Sequence, residues 1–135
     1  MKLKQPYLIN FSKIGTFEIG YISVAENDNL PFEPKRIYWT YNTPENVVRG
    51  HHAHFELEQV LVAISGKVIV NIITIDGSEF EFILDTPNKG LFIPKLCWRN
   101  LRYTNNALLM CIASKEYTEI DYIRNFEEFQ SLIKK

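Results

Sequence analysis

The chain's three histidines all fall within four positions of the segment "VVRGHHAHFELEQVLVAISG", Val47 to Gly66. Residues two apart on a strand share a face, so His52 and His54 are expected to point together while His51 turns away with Ala53. Paired imidazoles suit two kinds of chemistry. They hold divalent metals, and they move protons near neutral pH because the unperturbed pKa lies near 6.5. On an uninterrupted strand Glu56 and Glu58 continue the histidine face and Leu57, Gln59 and Leu61 take the other; a bulge changes that assignment. A third reading, histidines that are merely structural or exposed at a strand start, is weakened by three of them standing beside Arg49 at the head of an apolar run.

The rest of the chain supplies the frame. Short runs rich in β-branched and aromatic residues recur about every ten positions, among them "FEIGYISVAE", "KRIYWTYN", "LEQVLVAISG", "KVIVNIITI", "EFEFILDT" and "ALLMCIAS". Turn residues separate them, the pattern of an all-β sandwich or barrel. Gly66 in "ISGK" and Asp76-Gly77 in "IDGSEF" predict two antiparallel hairpins. Near the end the period changes: Ile123, Phe126, Phe129 and Ile133 fall at helical spacing, with acidic residues early and Lys134-Lys135 last. The expected build is a jelly-roll β-barrel with a short C-terminal helix, one domain over residues 1–135 without repeat or linker. A barrel gathers the inward faces of its strands, so inward-facing His52 and His54 would stand in a pocket for one small ligand.

Composition excludes several function classes. Fifteen Lys and Arg stand against 16 Asp and Glu, scattered along the chain, so a nucleic acid or an anionic membrane is not an expected partner. No apolar run approaches the roughly 20 residues that cross a membrane, and the N-terminus lacks a signal-peptide pattern, which points to the cytoplasm. Cys97 and Cys111 sit in apolar segments without CxxC spacing and are expected as buried hydrophobes.

The histidine segment resembles the first cupin motif, in which a Gly precedes a His-x-His pair and an acidic residue follows before another Gly. Here the acidic slot falls on Glu58 or on Gln59, and Gln59 is the better positional match. The second cupin motif runs from a Gly through a Pro to a His. "GLFIPKLCWRN" supplies Gly90 and Pro94 but puts Cys97, Trp98 and Arg99 where that His would be. An arginine donates only and cannot coordinate a cation. A protein metal site needs at least three ligands, and the third would have to come from His51, Glu56 or Glu58. No metal and no other cofactor is therefore expected.

Together "KRIYWTY", "VVRGHHAHFELEQVLVAISGKVIV", "GLFIPKLCWRNL" and "DYIRNFEEF" resemble the TDP-4-keto-6-deoxyglucose 3,4-ketoisomerases, small cupin enzymes of deoxysugar and surface-polysaccharide biosynthesis. The resemblance spans nearly the whole chain. It implies a metal-free jelly roll, a homodimer that exchanges N-terminal strands, and a TDP-linked 4-keto-6-deoxy sugar as substrate. It places catalytic roles on His52 and His54; we expect His54 as the base and His52 as its partner in proton delivery or enediolate polarisation. It also implies an Arg49 that stabilises an oxyanion or holds pyrophosphate, and substrate contacts from Arg36, Tyr38, Trp39, Tyr41, Gln59, Trp98 and Arg99. Phe55 stands where the family commonly has Lys, and Arg99 resembles one of two family branches, which favours a 3-keto-gluco product. A non-catalytic sugar-nucleotide binder, a metal-dependent cupin and a sugar-nucleotide epimerase are the competing readings.

Overall fold

The structure is a computed structural model and describes residues 3–133. In chain order its strands are β1 (Tyr7–Asn10), β2 (Ile14–Thr16), β3 (Gly20–Ile22), β4 (Arg36–Tyr41), β5 (Val48–His54), β6 (Gln59–Ser65), β7 (Val68–Thr74), β8 (Glu79–Leu84), β9 (Lys89–Ile93), β10 (Cys97–Tyr103), β11 (Leu108–Ala113) and β12 (Tyr122–Ile123), followed by α1 (Phe126–Ser131). One antiparallel sheet runs β1-β9-β6-β11-β4 and a second runs β12-β5-β10-β7-β8, while β2 and β3 form a separate hairpin. The two large sheets face each other as the jelly roll that the strand pattern predicts.

Alternation explains what fills the barrel. Along β7, Val68, Val70, Ile72 and Thr74 are buried and their neighbours are less so. Val68, Val70 and Ile72 join Leu61, Leu84, Leu91, Ile93, Leu101 and Leu109 in the core between the sheets. Strand β6 is buried on both faces, because Val60 and Val62 pack outward against Phe11, Leu30, Phe92 and Ile112. A third cluster, Ala53, Trp98, Ile123 and Phe129, lies beneath α1 on the outer side of the second sheet.

Two features depart from the sequence reading. Asp76-Gly77 does close an antiparallel hairpin, with Ile73 opposite Glu79 and Gly77 at φ +88°. Gly66 does not, since β6 is already flanked by β9 and β11, leaving β7 to pair with β8 and β10 in the other sheet. The turn at Gly66 (φ +73°) carries the chain across the barrel, and a Cβ there would stand 2.5 Å from Ala107 Cα. The helix also starts later than its spacing predicts. Asn125 caps it by accepting a hydrogen bond from the Glu128 amide at 2.8 Å, and Ile123 belongs to β12 instead. Lys134 and Lys135 lie outside the described residues.

Candidate active site

The site forms where β5, β10 and β6 meet near one end of the barrel. Gly50 (φ +95°) and His51 (φ +58°) make a bulge in β5, so that Asn100 pairs with Gly50 but Arg99 pairs with His52. A Cβ on Gly50 would lie 2.7 Å from the Arg99 carbonyl, so the close approach of the two strands also requires glycine here. The bulge leaves His51 exposed, its Nε2 3.1 Å from the Val48 carbonyl, rather than turned under the helix with Ala53 as a plain strand would place it. His52 and His54 point into the barrel with ring centroids 4.9 Å apart, edge to face.

Each imidazole has one nitrogen fixed. His54 Nδ1 lies 3.2 Å from Asp121 Oδ2, and Asp121 also accepts the backbone amides of Glu56 and Leu57 at 2.9 and 3.1 Å. His52 Nδ1 lies 3.1 Å from the Gly50 carbonyl. Burial, followed by the positive charge of Arg99, pushes His52 down to about 3 and His54 to about 2. Both rings are therefore neutral at neutral pH. A neutral imidazole facing a carbonyl or carboxylate through Nδ1 carries its proton there, which leaves Nε2 as a bare acceptor on each ring. The Nε2 of His54 is buried with no partner in the protein. Tyr122 packs against both rings, at 4.4 Å from His54 and 5.1 Å from His52.

Arg99 is the cation beside them. It is 2% exposed and donates from Nε and Nη2 to the Cys97 carbonyl at 3.2 and 3.1 Å, and from Nη1 to the Gln59 amide oxygen. Among the described residues no carboxylate lies within ion-pair distance of it. Desolvation disfavours its charged form, yet a guanidinium starts so high that it stays protonated. A cavity of about 90 Å³ opens on this group, lined among others by Tyr38, Arg49, His52, Gln59, Arg99 and Cys111. It adjoins a shallow groove of about 420 Å³ along β4 and the loop after it, and the two share Tyr38, Thr40 and Arg49. The donor set does not fit a divalent metal: between two imidazoles and an amide stands a guanidinium that cannot coordinate and repels a cation.

The family model described as WxcM-like, C-terminal (FdtA) matches residues 4–134. The chain belongs to the FdtA family. It is 37% identical over 130 residues to a TDP-4-oxo-6-deoxy-alpha-D-glucose-3,4-oxoisomerase of Aneurinibacillus thermoaerophilus, covering 95% of this chain and 92% of that one. A 3,4-ketoisomerase structure from Helicobacter canadensis superposes with a TM-score of 0.88 at 38% identity, over 95% of this chain and 96% of the other. The sugar 3,4-ketoisomerase QdtA from Thermoanaerobacterium thermosaccharolyticum, solved in complex with TDP, gives 0.89 at 32% identity, over 95% and 93%.

Within this FdtA-family fold the residues singled out from the sequence divide by strand face. His52, Gln59, Arg99 and Tyr38 converge on the cavity, Arg49 stands exposed at its mouth, and His54 lies one ring deeper. Arg36 shares the inward face of β4 with Tyr38, its guanidinium 5.2 Å from that ring. Trp39 and Tyr41 stand on the outer face of β4, 60% and 61% exposed, and border only the groove. Trp98 faces away from the cavity and packs beneath α1 at 5.0 Å from Phe126 and 5.9 Å from Phe129, so it is core and not a substrate contact. The face count beyond His54 also changes. Strand β5 ends there, and the turn Phe55–Glu58 restarts the alternation so that Gln59 faces inward while Glu58 pairs with Lys4 at 3.5 Å. Asp121 and Tyr122 are functional residues that the sequence pattern does not single out. Their segment carried a helical spacing that hid a strand, and the one cue was "DY" inside a stretch already matched to the family.

Proposed function

We propose that this FdtA-family chain is a metal-independent TDP-4-keto-6-deoxyglucose 3,4-ketoisomerase of deoxysugar biosynthesis. The observation that carries this reading is a pair of neutral imidazoles, each with a bare Nε2, beside a buried guanidinium without a counter-charge. A C4 carbonyl acidifies the C3 proton, and its removal gives an enediolate shared by O3 and O4. A proton then enters at C4 while the O3 hydroxyl proton passes to O4. Atoms balance, and oxidation moves only within the sugar. We assign the carbon proton to His54, whose tautomer Asp121 holds, and the oxygen proton to His52, which lines the cavity. Both are weak bases in the free site; a bound diphosphate and the developing enediolate raise their basicity by adding negative charge nearby. Arg99 retains two N–H groups not used in the protein, and a preorganised cation in a dry site is worth most where charge develops.

The cavity has room for the reacting end of a sugar and not for a nucleotide. We place the nucleotide along the β4 groove, with Arg49 toward pyrophosphate and the outer aromatics Trp39 and Tyr41 available to thymine; Arg36, at the start of β4 and outside the groove lining, is a second candidate for a phosphate. Arg99 matches the family branch for which we assign a 3-keto-6-deoxy-gluco product. We further propose a homodimer. The β2–β3 hairpin exposes Ile14, Phe17, Ile19 and Ile22, and the outer face of the first sheet holds an apolar groove of about 650 Å³ that includes Val62, Ile64, Met110 and Ile112. Such apolar surface is characteristic of a partner interface. No helix among the described residues is long and apolar enough to cross a membrane, and we place the enzyme in the cytoplasm.

The test is to incubate chelator-treated protein with TDP-4-keto-6-deoxyglucose and identify the sugar by NMR. A 3-keto isomer is expected. Binding without conversion would favour the non-catalytic binder, an inverted carbon with the ketone still at C4 the epimerase, and activity restored only by added metal the metal-dependent cupin.

A further inference from the structure

The contact between Gln59 and Arg99 carries more than packing. Gln59 is 2% exposed and its amide orientation is fixed: Oε1 must face Arg99, which only donates, while Nε2 donates to Tyr38 Oη at 2.9 Å. Tyr38 in turn stands opposite Cys111 across β4 and β11. This chain grips the guanidinium from one side while the Cys97 carbonyl grips it from the other. Every gripping atom is neutral. A buried charge is ordinarily paired, and a glutamate of the same length would reach the same nitrogen and cancel the charge. The buried carboxylate of Asp121 is occupied by His54 and two backbone amides and makes no ion pair with Arg99.

We propose that Gln59 is a positioning residue whose neutrality is functional: its amide fixes the Arg99 guanidinium in the cavity wall without neutralising it, which leaves the charge for the enediolate. The inference rests on the ketoisomerase reading and separates from it in its test.

The experiment compares Gln59→Glu and Gln59→Met with the unaltered full-length protein, using TDP-4-keto-6-deoxyglucose as substrate and TDP as the binding probe. Gln59→Glu keeps the shape and strengthens the contact but supplies a counter-charge, so kcat is expected to fall about 100-fold with KM within about threefold, the scale of losing one oxyanion-stabilising group. Gln59→Met loses the hydrogen bonds and leaves the charge, and is expected to lose about tenfold. TDP affinity stays within threefold in both. A merely structural role predicts the reverse order, with Glu tolerated and Met damaging, and that order overturns the proposal. If Gln59→Glu does not fold, Gln59→Met decides alone: a loss as large as that of Arg99→Met would show that the grip, and not the free charge, is what matters. Wild-type protein that fails to convert the substrate defeats the ketoisomerase reading itself, an outcome distinct from any ranking of the two variants.

Discussion

Strands β6 and β10 run from one kind of interior into another. At one end Gln59 and Arg99 bond each other beside His52 in the cavity wall, and two residues along each strand the inward positions become Leu61 and Leu101 within an apolar core. The apolar part follows the ordinary rule, in which burial of Val68, Val70, Leu84 and Leu91 drives folding. The polar part buries a cation and two imidazoles against the cost of desolvation, tolerated only because the surrounding strands over-determine it. One barrel thus holds a stabilising half and a chemical half on the same strands. Substitutions should divide accordingly, with stability lost in the first and turnover in the second.

The largest expected effect breaks the chemical half alone. His54→Asn should lower kcat about 10³-fold, within the range for losing an acid/base group, while circular dichroism shows a folded protein. The converse is Leu84→Ala, which opens a void in the apolar half and should cost about 2–5 kcal/mol in urea unfolding with near-normal turnover per folded molecule. A smaller effect tests the link between them. Asp121→Asn keeps an acceptor for the Glu56 amide but puts an NH2 where Oδ2 accepts from Leu57 and His54, so Leu57 loses its acceptor, His54 is driven to the other tautomer, and kcat should fall about 10–100-fold with KM little changed. The smallest concerns pH. His52 sits at about 3 in the fold and near 6.5 when unfolded, so the unfolded chain binds a proton across that window that the native state does not. Stability should fall as pH drops from about 6.5 toward 3, and His52→Asn should reduce that slope in denaturation series at pH 7, 5 and 4, with His54, also held low, supplying the rest.

The two halves were also unequally legible in the sequence. Alternation and the Asp76-Gly77 turn were local signals and led directly to the barrel strands and to a β7–β8 pair. The shared face of His52 and His54 followed from the same period. What escaped depended on chain neighbours that local pattern does not encode. The bulge at Gly50 and His51 exists because β5 must meet Arg99 on β10. The turn after His54, which brings Gln59 inward, is held by Asp121, 65 residues from Glu56. Gly66 looked like a hairpin because only the sheet order shows that β6 has no free edge. Trp98 reads as a ligand contact in the sequence because strand phase alone does not say which face a helix will cover.

Proton transfer by the imidazole pair on a bound 4-keto sugar is the step on which the proposed function stands. It is met most directly by incubating the protein with TDP-4-keto-6-deoxyglucose in heavy water and following C3 and C4 by NMR. A 3-keto product is expected, with deuterium entering at C4 and at C3 of recovered substrate, both suppressed in His54→Asn. Saturated binding with no isomer and no deuterium at either carbon would contradict it.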